Sequence, residues 1–246
     1  MTIQHPRLLA VLLVAVAAAC ARHRGNVPEV TLGDLPLFET RIEIDTGTGS
    51  HADYFVADLD GDGVQDMAIV SLTGELRILL GDGAGFSLGQ ELQIGGLPSW
   101  MAGGDFDNDG DLDLVVVRSV GDTTDLFAND GAGTFTQAAS LPGGADALAV
   151  AVGDLDDDGN LDVAVSRPGA PEVLVGFGDG QLGFSSQQAV VLPGGGKAFN
   201  LAIGDANRDG TTDLLVADPL LSRVVLFPGS TPSDFGTEAC ELPVAD

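Results

Sequence analysis

The sequence predicts an all-β fold, a β-propeller of four-stranded antiparallel blades with about four blades visible, and three observations carry that expectation. A nine-residue acidic stretch, DLDGDGVQD (Asp58 to Asp66), returns as DFDNDGDLD (Asp105 to Asp113), DLDDDGNLD (Asp154 to Asp162) and DANRDGTTD (Asp205 to Asp213), at spacings of 47, 49 and 51. A second marker keeps the same beat: Phe38, Phe86, Phe135, Phe184 and Phe235 lie 48, 49, 49 and 51 apart. Between the markers run short β-branched segments broken by Gly, Asp and Pro turns, and no stretch after residue 25 sustains a helical period for three turns. Four strands in about 49 residues is the content of one propeller blade. A β-sandwich would not need the same loop at the same place in every repeat.

The chain opens on MTIQHPR, with one positive charge at Arg7, and continues as the twelve-residue apolar run LLAVLLVAVAAA (Leu8 to Ala19). Twelve helical residues reach roughly 18 Å, too short for a bilayer's hydrocarbon core. Residues 1–19 therefore read as a signal peptide and the protein as exported. Ala17-Ala18-Ala19-Cys20 resembles a bacterial lipobox, in which Cys20 becomes the lipidated first residue of a membrane-anchored lipoprotein. Ala17 stands where a lipobox usually carries Leu, which leaves open plain secretion after an A-x-A site. Residues 20–36 then form a tether of low order. Cys240, the only other cysteine, is either a partner for an unlipidated Cys20 or a lone buried thiol in a strand.

Residues 37–246 form the body, with repeats at about 37–85, 86–134, 135–183 and 184–234 and a final strand at 235–246. The first acidic loop is framed by HADYFVA and DMAIVSL; the turn at Thr73-Gly74, ELRILLG, the turn GDGAG and FSLGQELQI follow. Corresponding third segments are DLFAND, EVLVGFGD and RVVLFPGS. Four sets of the first three strands meet five copies of the Phe-led fourth, with LFETRIEID at the start and FGTEACELPV at the end. The body is thus a closed four-bladed ring with one extra edge strand, a partial propeller, or a fragment of a larger product. Open terminal blades would expose sheet edges, which invite association.

With the acidic stretch numbered 1 to 9, side-chain oxygens occupy positions 1, 3 and 5: Asp58, Asp60, Asp62; Asp105, Asp107, Asp109; Asp154, Asp156, Asp158; Asp205, Asn207, Asp209. Position 6 is always glycine (Gly63, Gly110, Gly159, Gly210) and position 9 always Asp (Asp66, Asp113, Asp162, Asp213). Position 7 varies through Val64, Asp111, Asn160 and Thr211, as expected where only a backbone carbonyl is used. Calcium takes six to eight oxygens, and a chain curling round it offers alternate residues. The twelfth positions are Ile69, Val116, Val165 and Val216, where an EF-hand needs a bidentate Glu, and the flanks are strands. Asn207 removes one charge and Arg208 adds a positive one, so the fourth loop binds last or not at all.

The D-x-D-x-D-G-x-x-D loop, an apolar strand and then GDGAGF (Gly81 to Phe86), NDGAGTF (Asn129 to Phe135) or GDGQLGF (Gly178 to Phe184) resemble the FG-GAP or VCBS repeat. The fourth turn, PGSTPSDF (Pro228 to Phe235), has drifted. The resemblance covers about residues 37 to 246 and implies a calcium-binding propeller like integrin α-subunit heads, with the ion in the hairpin loop between two inner strands. Three to four structural Ca²⁺ ions follow, bound by positions 1, 3, 5, 7 and 9 of each loop. Propellers of the integrin type have seven blades, so four here leave ring closure open.

Charge supports the same cation. Ten basic residues face 37 acids, for a net charge of −27, and the four acidic windows hold 17 of those acids. Seven scattered basic residues after Gly25 make nucleic acid an unsuitable partner. Acid–base catalysis has little to stand on, because His51 is the body's one histidine and the acids concentrate in the loops. The favoured reading is an exported, non-catalytic surface scaffold for an unknown protein or glycan, touching a membrane only through a lipid anchor. The alternative is a carbohydrate-active enzyme or a non-catalytic piece of one. Tyr54 and Trp100 are the only large amphipathic aromatics, and Trp100 belongs either to the core or to a ligand-facing surface.

Overall fold

The computed structural model describes residues 46, 50–142, 146–229, 235–236 and 239–243. All but the first 43 residues fall in one compact unit, Ile44–Asp246. The signal segment, Cys20, the tether and the strand expected at Phe38 lie outside the described residues.

Four separate antiparallel sheets of four strands follow one another along the chain, each in simple sequence order. The first contains β1 (His51–Ala57), β2 (Asp66–Ser71), β3 (Glu75–Gly81) and β4 (Phe86–Gln93). The second contains β5 (Pro98–Gly104), β6 (Asp113–Arg118), β7 (Thr123–Asn129) and β8 (Phe135–Pro142). The third runs through β9 (Val150–Gly153), β10 (Asp162–Arg167), β11 (Glu172–Gly178) and β12 (Phe184–Val191). A 3₁₀ turn at Pro193–Gly195 leads to β13 (Asn200–Gly204), β14 (Asp213–Asp218), β15 (Arg223–Phe227) and β16 (Cys240–Pro243). Each sheet is one blade. Cys240 is an exposed, free thiol, which corrects the reading of a buried one: β16 is the edge strand of its sheet.

The blades stack through their first strands: β1 packs on β5, β5 on β9 and β9 on β13. No comparable contact among the described residues joins β13 back to β1. Strands flanked by blades on both sides bury both faces and so read as unbroken apolar runs; DLVVV of β6 and DVAV of β10 are wholly buried. Alternate side chains then serve opposite neighbours. Leu114 and Val116 meet Ala68, Val70 and Ile78 of the first blade, while Val115 and Val117 join Val163 and Val165 of the third.

Nearest the stacking line the fit is a knob in a socket. A Cβ on Gly104 would lie 2.5 Å from Leu161 and 3.3 Å from Val152 of the next blade. A Cβ on Gly153 would lie 2.5 Å from Ile203 of the blade after it. The first junction inverts the sizes: Ala57 takes the socket place, Gly103 the knob place, and the Phe55 ring fills the space, 2.4 Å from where a Gly103 Cβ would stand.

Polar contacts lace the same junctions. Met101 N–H donates to Asp53 across the first junction, the Ser99 hydroxyl donates to the Leu148 carbonyl across the second, and the Ser166 hydroxyl to the Phe199 carbonyl across the third. Gln90 clamps the Phe135 backbone through both its amide N–H and carbonyl, and Gln188 donates to the Phe235 carbonyl. Four of the body's seven basic residues sit at the β2–β3-type hairpins: Arg77, Arg118, Arg167 and Arg223. Arg118 pairs with buried Asp125 at 2.7 Å and donates to the Ile94 carbonyl of the preceding crossover. Arg223 likewise joins buried Asp218 and the Pro193 carbonyl.

The size inversion at the first junction predicts compensation. Gly103→Val alone should cost about 1–3 kcal/mol by overpacking against Phe55. Combined with Phe55→Ala, it should recover at least about 1 kcal/mol of coupling in a denaturation double-mutant cycle. Strict additivity would show that the ring and the glycine do not share this space.

Candidate metal centres

Each acidic loop links the first strand of a blade to its second, and the ninth-position aspartate holds it in place. Asp66 accepts Leu59 N–H at 2.7 Å on one oxygen and Gly81 N–H at 2.7 Å on the other. Asp113 does the same for Phe106 and Asn129, and Asp162 for Leu155 and Gly178. Asp213 accepts Ala206 and Gly229 N–H. All four carboxylates are buried. Each one ties the mouth of its loop to the end of the third strand, a structural role beyond the ligand role that spacing alone implied.

The first-position aspartates organise the loop's far side. Asp58 accepts the N–H groups of Gly61 and Gly63. Asp105, Asp154 and Asp205 each accept the N–H groups at positions 5 and 6. Position 7 donates its N–H to the position-5 carboxylate in every loop, from Val64, Asp111, Asn160 and Thr211. Position 4 is left-handed throughout: Gly61 (φ 75), Asn108 (φ 61), Asp157 (φ 60) and Arg208 (φ 65). Sequence reasoning singled out only the position-6 glycine. The Gly/Asn/Asp choice at position 4 was the available signal, since those residues tolerate this region best.

Carboxylate oxygens converge within 4.8 Å in three loops: Asp58, Asp60 and Asp62; Asp105, Asp107 and Asp113; Asp154, Asp156 and Asp162. Asp66 stands outside its group in the first loop, and Asp109 and Asp158 stand outside theirs in the second and third. One oxygen each of Asp107 and Asp156 is buried without any hydrogen-bond partner. Burial and neighbouring carboxylates raise both groups. Burial is also the main cause that pushes Asp113 up to about 6 and Asp162 up to about 7. Oxygen-only donors, orphaned acceptors and raised carboxylates fit a hard divalent cation.

The fourth loop is built differently. Asn207 donates its amide N–H to Asp209 at 2.7 Å and to Asp213 at 3.3 Å, putting a neutral donor where the other loops carry a third-position carboxylate. Its first six residues are all exposed. Arg208 holds a left-handed backbone with no glycine's freedom.

The turns between third and fourth strands lie beside these loops. Asp82 accepts Ala84 and Gly85 N–H and is lowered by those bonds; Asp130 accepts Ala132 and Thr134 and is lowered likewise. A Cβ on Gly131 would lie 2.3 Å from the Asp111 carboxylate, so the two loops share one end of the molecule.

Three outcomes follow. In a chelator, lowering pH from about 7 towards 4 should stabilise the protein: Asp113 and Asp162 bind protons more tightly folded than unfolded, so their contribution is full below the ordinary carboxylate value and lost as pH rises through about 6 to 7. In excess calcium the melting trend should reverse. Asp162→Ala should cost about 3 kcal/mol even in chelator, by stranding two buried N–H groups, whereas Asp60→Ala should leave the chelated melting point within about 1 °C. Arg208→Asn should stabilise by about 0.5–1 kcal/mol in urea denaturation, by relieving the left-handed strain.

Comparison with known proteins agrees with this architecture. Among solved structures, a crystal structure of BBS1N in complex with ARL6DN, soaked with lead, matches at TM-score 0.56 and 12% identity, covering 82% of this chain. A second crystal of the same complex, soaked with mercury, matches at TM-score 0.54 and 12% identity, covering 81%. The chain spans 58% and 56% of the length of those two solved chains. No curated protein matches it significantly. The FG-GAP-like repeat family matches residues 58–116, 105–165 and 154–216, each segment running from one acidic loop through the strand after the next. These segments take in more than half of the sequence, and the chain belongs to the FG-GAP-like repeat family.

Proposed function

We propose that the protein is an exported, non-catalytic interaction scaffold whose blades are clamped by structural calcium at one end and which presents the opposite end to a protein partner. One observation carries this reading: the two ends of the blades differ in chemistry. The acidic loops and Asx turns crowd one end. At the other, around the β2–β3-type hairpins and the crossovers, Leu72, Leu97, Trp100, Val120, Phe199 and Leu220 are exposed. A surface rich in exposed large apolar side chains marks a contact site more often than a bare solvent face. Trp100 is 40% exposed at the start of β5, which favours the contact role over the core role.

Calcium would be held by the convergent carboxylates of the first three loops, with the orphaned oxygens of Asp107 and Asp156 among the donors. When bound, the ion supplies charge neutralisation, not chemistry on a substrate. The first-position aspartates of the loops are engaged with backbone N–H groups, and His51 is exposed at the start of β1. This distribution supports a scaffold over an acid–base enzyme. An N-terminal signal segment, with Cys20 as either a lipidated first residue or a secreted one, would place the body outside the cytoplasm.

Calorimetric titration should find three calcium sites. At roughly 1 mM calcium and a Kd near 0.1 mM, linkage gives about 1.4 kcal/mol per site and about 4 kcal/mol for three. Chelation should then lower the melting temperature by about 10 °C; an unmoved melting point would sink the calcium reading. A photo-crosslinker at Val120 should form protein adducts in the producing cell, and one at Asp109 should not. Adducts from Asp109 alone would reverse the assignment of the two ends.

A further inference from the structure

The first and fourth blades carry matching halves of the junction that the blades between them use. On the interior blades, the last residue of the first strand is a glycine socket filled by the next blade: Gly104 receives Leu161 and Val152, and Gly153 receives Ile203 and Thr212. The fourth blade keeps this glycine. Among the described residues, nothing lies within 4 Å of where a Gly204 Cβ would stand, and its backbone is not left-handed, so the glycine is not there for φ. Beside it Leu215, Ala217 and Val224 are only half-buried, although interior blades bury the corresponding residues, and Ala202 is exposed where Ala102 and Ala151 are half-buried.

The first blade carries the knob. By strand register Val56 occupies the place of Val152 and Ile203, and Tyr54 the place of Met101, Val150 and Leu201. Val56 is 43% and Tyr54 60% exposed, whereas Met101 and Val150 are buried. Val56 beside Ala202 and Gly204 would be the same pairing as Val152 beside Ala102 and Gly104. Asn200, aligned with Asp53, bonds its own Leu201 N–H at 2.9 Å, while Asp53 bonds the next blade's Met101.

We infer that the open face of the fourth blade receives the first blade of a second copy of this chain, head to tail, through the Gly204 socket and the Val56 knob. The occupant is identified by continuity with a junction the fold already forms three times. Outward from the socket the fit is poorer. Ala206 stands where Leu59, Phe106 and Leu155 fill the other junctions, and Gln65 where Leu112 and Leu161 do. Ile69 and Leu79 of the first blade are already buried, so the contact centres on Val56 and Tyr54. It is therefore weaker than the internal junctions and dissociates on dilution. Because different surfaces meet, the assembly is a closed pair or an extending row, according to the angle.

The test is sedimentation equilibrium of the whole protein in calcium across about 1–100 µM, with circular dichroism to show that every variant is folded. Wild type should rise above the mass of one chain. Gly204→Arg and Val56→Asp should each weaken association at least tenfold, and Tyr54→Asp should match Val56→Asp. Mixed in equal amounts, Gly204→Arg and Val56→Asp should form a one-to-one complex and nothing larger, since one intact socket and one intact knob remain between them. A wild type that stays single throughout, variants that associate as wild type does, or a mixture that stays single would each overturn the proposal.

Discussion

A buried carboxylate at the ninth position of each loop is the constraint on which the rest of the structure depends. Asp66, Asp113, Asp162 and Asp213 join two parts of the blade that strand pairing alone leaves separate: the start of the acidic loop and the end of the third strand. Such a group satisfies two buried donors but brings a charge out of water, and the repulsion of the loop's other acids adds to that cost. A cation placed among those acids removes both penalties. The loop geometry, the raised Asp113 and Asp162, and the orphaned oxygens of Asp107 and Asp156 are facets of one electrostatic problem.

The second organising element is the junction between blades, which is almost entirely a matter of side-chain size. Among the described residues no backbone ladder crosses from one sheet to the next; glycines admit branched knobs, and amides and hydroxyls find carbonyls at fixed heights. Where Phe55 brings bulk from the first blade, the second answers with Gly103. The arginines at the hairpins add buried ion pairs with Asp125 and Asp218, and their charge orientation differs between blades without changing the register. Such pairs are poor sources of net stability but costly to break singly.

Much of this was legible in the sequence. The strand segments read from HADYFVA, DMAIVSL and ELRILLG coincide with β1, β2 and β3, because alternation and turn chemistry act locally. The four loops were visible through their shared phase. Less legible was what depends on neighbours in space. Nothing local shows that Asp66 points back at Leu59 N–H, since Gly81 reaches it from across the hairpin. Nor does Arg118 announce its reach to the Ile94 carbonyl, 24 residues away. The left-handed fourth position could have been found, but Arg208 there disguised the pattern. Trp100 and Cys240 depended on which strand edges stayed open, a property of blade order.

Asn207 has a consequence for the charge balance of its loop. A loop that loses a ligand would ordinarily be left with mutually repelling carboxylates around an empty centre. Here an amide bridges Asp209 and Asp213. The fourth loop thus answers the repulsion of its own carboxylates with a side chain, where the other three carry a third carboxylate at the same place.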